Sequence, residues 1–150
     1  MTKTIQHQYF FSQTPEVVWD YLTKSELMAL WLMPNNFLPI EGRNFEFTTK
    51  PIPSLDLDGI FYCKVIEMLP CKKLVYSWKG GPGGGIMTFD TIVVWTLESK
   101  ENGTELLLVH SGFNEVENYN LYLGMNDGWL KNIKKIEQLL NDKKNDETKP

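Results

Sequence analysis

His110, His7 and Glu67 are the side chains whose strand positions could turn a proton-transferring group inward. His110 lies in LLLVHSGF; with Leu106 and Leu108 facing inward, the two-residue period of a strand puts it on the same face. An inward histidine can act as a general base, contact a ligand, or serve as a hydrogen-bonded part of the core. Ser111 beside it forms no nucleophile pair, because adjacent strand residues point to opposite faces. His7 could also face inward, but two histidines without clustered carboxylates make no convincing metal site. Glu67, in VIEMLP, shares strand parity with Cys63 and Val65. Buried there, its carboxyl could do proton chemistry; at a strand end it would more ordinarily bond a neighbouring backbone group. GGPGGG after Lys79 lacks the GK[ST] ending of a phosphate loop, and Pro82 removes a backbone donor, so it reads as a hairpin tip. Cys63 and Cys71 are the only cysteines, with no CxxC and no matching histidine pair, as free thiols in a reducing compartment would be. No catalytic residue, cofactor or metal ligand is assigned.

The aromatic residues are more informative. Trp31, Phe47, Tyr62, Tyr76, Trp78, Phe89, Trp95 and Trp129 are the largest side chains on offer for a core or a pocket. Small molecules bind in apolar pockets with a few polar handles, and a filled core would use the same residues. Both outcomes are open at this level.

The element that must position these groups lies near the end of the chain. From Asn118 to Asn141, residues Met125, Trp129, Ile133, Ile136 and Leu140 recur at helical spacing, while Lys131, Lys134, Lys135, Glu137, Gln138 and Asn141 fall mostly opposite. Such a helix is roughly 36 Å long and needs a partner surface. Asn114 and Glu117 form a candidate capping box upstream. The partner surface comes from the strands before it. Ile5, His7, Tyr9 and Phe11 alternate in a first strand, and Phe45-Glu46-Phe47 is a short second one. Longer runs follow at Ile60 to Leu69, Lys73 to Lys79, Ile86 to Leu97 and Glu105 to Phe113, the last introduced by the hairpin signal Asn102-Gly103. Between the first two strands, Thr14-Pro15-Glu16 starts a helix with Val17, Val18, Tyr21 and Leu22 on its buried side. Ser25 caps a second, short helix through Leu27, Leu30 and Trp31 that Pro34 ends. The pattern predicts an α+β domain, a curved antiparallel sheet of six to seven strands around a long C-terminal helix, with two short helices after strand one.

At 150 residues the chain has the length of one domain, predicted over 1–142 with a polar tail over 143–150. A hydrophobic fraction of 42% marks a globular chain, and a net charge of −4 argues against nucleic acid or an anionic membrane as partner. No apolar run has the length of a signal peptide or a membrane span, so a cytoplasmic location is expected.

Four motifs in order carry a family resemblance: PEVVWDYLT with a following W-x-x-P (Trp31 to Pro34), V-x-E-x-x-P-x-x-x-L-V-Y-S-W (Val65 to Trp78), G-T-x-L-x-L-x-H-S-G-F (Gly103 to Phe113), and Gly128-Trp129. Over roughly residues 5 to 141 the chain resembles the family similar to the C-terminal domain of the activator of the heat-shock protein 90 ATPase. That family sits in the START-like (SRPBCC) superfamily, whose members carry lipids, hormones or polyketides, and some of which catalyse cyclisation or hydrolysis. The resemblance implies a helix-grip fold with a cavity between sheet and last helix. It implies less about activity, since one fold hosts many functions. Together with the aromatic residues on alternating strands, that cavity leads to the expectation of a small hydrophobic or aromatic ligand bound without catalysis, touched by Trp31, Phe47, Tyr76, Trp78, Phe89, Trp95, Met125 and Trp129, with His110 or Tyr76 as polar handle. Cys63 stands where many relatives have glycine and is expected to narrow the cavity. The domain preceding this one in the eukaryotic activators does not occur in this sequence, which weighs against direct chaperone activation. The rival expectations are an enzyme using His110 or Glu67 as base, and a chaperone-related module for protein interaction.

Overall fold

Alternating polarity at the N-terminus produces an edge strand. In the computed structural model, which describes residues 2–148, β1 (Thr2–Phe11) buries Ile5 and Phe11 and leaves Gln6, Gln8 and Phe10 exposed. His7 faces inward with them, half-buried, and its Nε2 lies 2.8 Å from the backbone oxygen of Asn126.

The chain then turns into α1 (Pro15–Thr23), where the fixed φ of proline suits the first helical position. Its buried stripe is Val18, Trp19, Tyr21 and Leu22; Val17, expected in that stripe, lies one step round the helix and is 38% exposed. In α2 (Ser25–Trp31), Lys24 occupies the cap position and Ser25 is the first helical residue. The serine hydroxyl donates to the Asn35 carbonyl (2.9 Å), and Asn35 Nδ2 donates back to the Ser25 carbonyl (3.2 Å), so Ser25 straps the exit of the helix to its start rather than capping it. Met28 and Trp31 are buried, whereas Leu30 is exposed.

Five further strands complete one antiparallel sheet: β2 (Asn44–Thr48), β3 (Ile60–Leu69), β4 (Lys73–Gly80), β5 (Phe89–Lys100) and β6 (Gly103–Asn114). Their order is β1-β6-β5-β4-β3-β2, so sequence neighbours from β2 to β6 pair as successive hairpins and the first strand closes onto the last. The final helix, α3 (Tyr119–Thr148), packs on the inner face, burying Trp129, Ile133, Ile136 and Leu140 and exposing Lys131, Lys134 and Lys135. This is the helix-grip α+β architecture expected from the sequence, with six strands.

Where the elements depart from expectation, local chemistry explains it. α3 runs on to Thr148, into the segment read as a polar tail, because no glycine or proline interrupts NDKKNDET; residues 149 and 150 lie outside the described residues. Ahead of α3, Asn114 Oδ1 accepts from the backbone N–H groups of Val116 and Glu117 (2.9 Å each), making a capped turn before the helix proper begins. β5 starts at Phe89 rather than Ile86, since residues 81–88 fold into an excursion in which a side chain on Gly81 would meet the Ile86 carbonyl at 2.1 Å. The β5–β6 hairpin turns on Glu101-Asn102, with Gly103 already paired to Lys100. Gly103 serves a different need: a Cβ there would sit 2.0 Å from the Phe11 carbonyl, so only glycine lets β1 approach.

Candidate functional site

Glu67 is displaced by one extra residue. β3 and β4 pair regularly up to Val65↔Tyr76 and resume at Glu67↔Val75, a β-bulge that reverses side-chain parity. Glu67 therefore points outward, half-exposed, 3.1 Å from Lys73 Nζ. An ion pair in water contributes at most about 1 kcal/mol and holds no buried proton.

His110 does face inward and is completely buried, but both ring nitrogens are committed. The indole N–H of Trp129 donates to Nδ1 (2.9 Å), and an indole nitrogen can only donate, so Nδ1 is the acceptor. The proton of the neutral ring then lies on Nε2 and is donated to Thr91 Oγ1 (2.7 Å), whose own hydrogen goes to the Trp78 carbonyl (2.8 Å). Burial pulls the His110 pKa from 6.5 down to about 3, keeping the ring neutral. Of the three readings open for this histidine, the geometry matches the hydrogen-bonded core residue. Thr91, the centre of the relay, carries no local sequence signal.

The aromatic residues divide into two groups. On one side the core is filled. Trp31 meets Trp95 edge-on at 5.9 Å and donates its N–H to the Tyr21 carbonyl at 2.7 Å. Trp95 donates to Tyr76 Oη at 3.0 Å, and burial pushes that phenol well above its usual range. Phe45 wedges between Phe37, Phe47 and Tyr76 at ring separations of 5.0–5.4 Å. On the other side, beyond Trp129, the packing opens into a pocket of about 270 Å³. Trp78 and Phe61 wall it from the sheet, and Leu121, Gly124, Met125, Gly128, Trp129 and Asn132 from α3. Leu32 and Met33 after α2, with Thr49, Ile52, Leu55 and Leu57 from the loop between β2 and β3, form its rim.

Of the residues expected to contact a ligand, Trp78, Met125 and Trp129 line this pocket. Trp31, Tyr76, Trp95 and His110 belong to the filled side, Phe47 lies behind Trp78 with rings 5.0 Å apart, and Phe89 lies behind Phe61 at 6.2 Å. Cys63, expected to narrow the cavity, is buried but is not part of its wall. The rim residues of the proline-containing loop were not anticipated. Neither were Gly124 and Gly128, although two glycines one turn apart inside a helix are a readable signal, since each costs about 1 kcal/mol of helix propensity relative to alanine.

A wider depression of about 660 Å³ lies on the outer face of the sheet. Outward-facing Lys64, Ser77, Lys79 and Asp90 line it, with a 3.8 Å Lys79–Asp90 pair. The smaller pocket is the candidate site, since it joins the sheet to α3 and its lining is apolar apart from Thr49 and Asn132. Among the described residues no group of three or more histidine, cysteine, aspartate or glutamate side chains converges as a metal site would require, and no helix is long and apolar enough to cross a membrane.

Comparison with known proteins places this geometry. Residues 12–141 match the family described as activator of Hsp90 ATPase homolog 1-like protein. The chain belongs to that family. A crystal structure of protein MLL2253 from Mesorhizobium loti is 30% identical and superposes with a TM-score of 0.82, covering 93% of this chain and 98% of that one. The solution structure of Bacillus halodurans BH1534 is 24% identical, with a TM-score of 0.73 over 92% of this chain and 98% of its own. DynU16, from the dynemicin biosynthetic locus, shares the fold at 18% identity and a TM-score of 0.73, over 92% of this chain and 47% of its own. No curated protein matches by sequence. Like these START-like proteins, this member of the Hsp90-activator-like family wraps a curved sheet around its terminal helix.

Proposed function

We propose that this member of the family binds a small apolar or aromatic molecule, without catalysis, between its sheet, the loop over residues 49–57 and α3. The observation that carries the reading is the pocket of about 270 Å³ whose walls include no titratable side chain. General acid–base catalysis needs such a group within reach of the substrate. Here His110 is locked behind Trp129 and Glu67 points to solvent. The volume is near the lower end of ligand sites, roughly 300–1,000 Å³, so a small ligand fits better than a lipid with long chains. The placing of DynU16 in a biosynthetic locus agrees with a fold that handles small molecules. Two unpaired cysteines, Cys63 and Cys71, agree with a reducing cytoplasm.

Titration with naphthalene followed by tryptophan fluorescence tests this. A saturable change is expected, because Trp78 and Trp129 both wall the pocket. Gly128→Leu, which places a side chain into open space beside it, should abolish the change. A wild-type protein silent toward naphthalene and similar apolar probes would remove the reading.

A chaperone-related interaction module is the second reading, favoured by one surface feature. The Gly42 N–H donates to the Val65 carbonyl (2.7 Å), bringing the loop with exposed Leu38 and Ile40 beside exposed Ile66. Binding to purified heat-shock protein 90 that is weakened by Ile40→Asp and Ile66→Asp would support it; no binding would dismiss it.

A further inference from the structure

Resting on the binding reading above, we propose that the pocket is the inner of two chambers of one site, and that its ligand is an amphiphile. An apolar ring system lies against α3, and an arm of a few carbons carries a hydrogen-bond-donating group, an amine above all, into the outer chamber.

The outer chamber is a depression of about 490 Å³ between the rim loop, residues 87–88 and the start of α3. Leu55 and Leu121 belong to its wall and equally to the wall of the inner pocket, so these two side chains are the partition between the spaces. On both sides of the partition the lining changes from apolar to polar between sequence neighbours. On the loop, Leu55 is followed by Asp56; on the helix, Leu121 is preceded by Asn120. A molecule lying across the two leucines therefore meets hydrocarbon at one end and polar side chains at the other.

The partition is light. The rim loop is bonded to itself, with Ile52 and Leu57 exchanging both backbone hydrogen bonds (3.0 and 3.2 Å). Its base is fixed where the Thr49 N–H donates to the Gly59 carbonyl (2.7 Å) and the Asp58 N–H to the Gly81 carbonyl (2.9 Å). Among the described residues no backbone hydrogen bond joins residues 50–57 to α3. Leu55 is half-buried and faces Gly124, where an added Cβ would come only within 3.8 Å of its Cδ1. Turning Leu55 aside breaks apolar contacts, and the glycine opposite leaves width for an arm to pass.

Charge fixes the end group. No lysine, arginine or histidine lines either chamber, whereas Asp56 and Glu117, both exposed, line the outer one. The amino end of α3 borders the same chamber and brings about half a positive charge, which two carboxylates outweigh. A carboxylate only accepts hydrogen bonds, so a donor gains there, and a donor with positive charge gains most. In the inner chamber the same charge would lose its water with no counter-charge in exchange. The sign of the effect thus depends on the length of the arm.

Calorimetry at neutral pH with two pairs of probes tests this: 2-butylnaphthalene against 4-(2-naphthyl)butylamine, and 2-methylnaphthalene against 2-naphthylmethylamine. The long amine should bind about fivefold more tightly than its hydrocarbon. The short amine, whose charge stays in the inner chamber, should bind more weakly than its hydrocarbon. The anion 5-(2-naphthyl)pentanoate should bind more weakly than 2-butylnaphthalene. In the double variant Asp56→Asn/Glu117→Gln the preference for the long amine should vanish; Asp56 has φ +57, which asparagine also adopts. A long amine no tighter than its hydrocarbon, a preference that persists in the double variant, or a pentanoate that binds as well as the amine overturns the outer chamber and leaves the pocket as a binding site. No binding of either hydrocarbon overturns the binding reading itself.

Discussion

Trp95 and Trp78 stand on neighbouring strands, face the same interior and touch the same Trp129 ring at 5.4 Å, yet they belong to different kinds of core. Around Trp95 the hydrogen-bonding atoms are paired: its N–H goes to Tyr76, that of Trp31 to the Tyr21 carbonyl, and the His110 relay closes through Thr91. Around Trp78 one donor has no protein acceptor and the packing gives way to a pocket. The difference teaches that identical residue types can either complete a fold or hold a space open. Polar pairing tells the two apart where hydrophobicity does not.

The comparison can be broken by substitution. Trp95→Ala should cost about 3–5 kcal/mol of stability in denaturant unfolding, while Met125→Ala, on the half-buried wall of the pocket, should cost less than about 2. Equal losses would mean that the pocket side is as tightly packed as the filled side. Thr91→Val removes the centre of the relay, leaving the His110 Nε2–H and the Trp78 carbonyl without this partner, and should cost about 1–3 kcal/mol.

A smaller effect sharpens the reading of His110. Its folded pKa of about 3 lies below its unfolded value of 6.5, so between these pH values the unfolded chain binds a proton that the folded chain does not. Stability should therefore fall as pH drops below 6.5, by up to about 1.4 kcal/mol per unit, a slope that His110→Gln should reduce. Measured above the carboxylate range, at about pH 7 to 5.5, the slope is separable from acid unfolding. The ring-proton chemical shifts of His110 should stay constant over the same interval. Smallest of all, Gly128→Ala should raise stability by up to about 1 kcal/mol through helix propensity, against the sign expected for a glycine required by packing.

Much of the framework could be read from the chain because period and punctuation are local. The run Ile60–Leu69 became β3 at those bounds, and the Trp129–Ile133–Ile136–Leu140 face of α3 is buried as its spacing required. Glu67 was misplaced because parity counts through a strand only while pairing is regular, and a bulge leaves no mark in VIEMLP. The site was legible in part. Aromatic content located the region, but dividing Trp95 from Trp78 depends on volumes summed over several elements. The role of His110 likewise depends on Thr91 and Trp129, each 19 residues away in sequence on a different element.

The contact between His7 Nε2 and the Asn126 carbonyl joins groups 119 residues apart. Asn126 lies midway between Gly124 and Gly128, where the helix is intrinsically weakest, so the opening strand acts as a clasp on the turn that borders the pocket. Trimming the first few residues, or fusing a tag that shifts the register of β1, should therefore be felt first not at the N-terminal edge but in the width of the opening beneath α3.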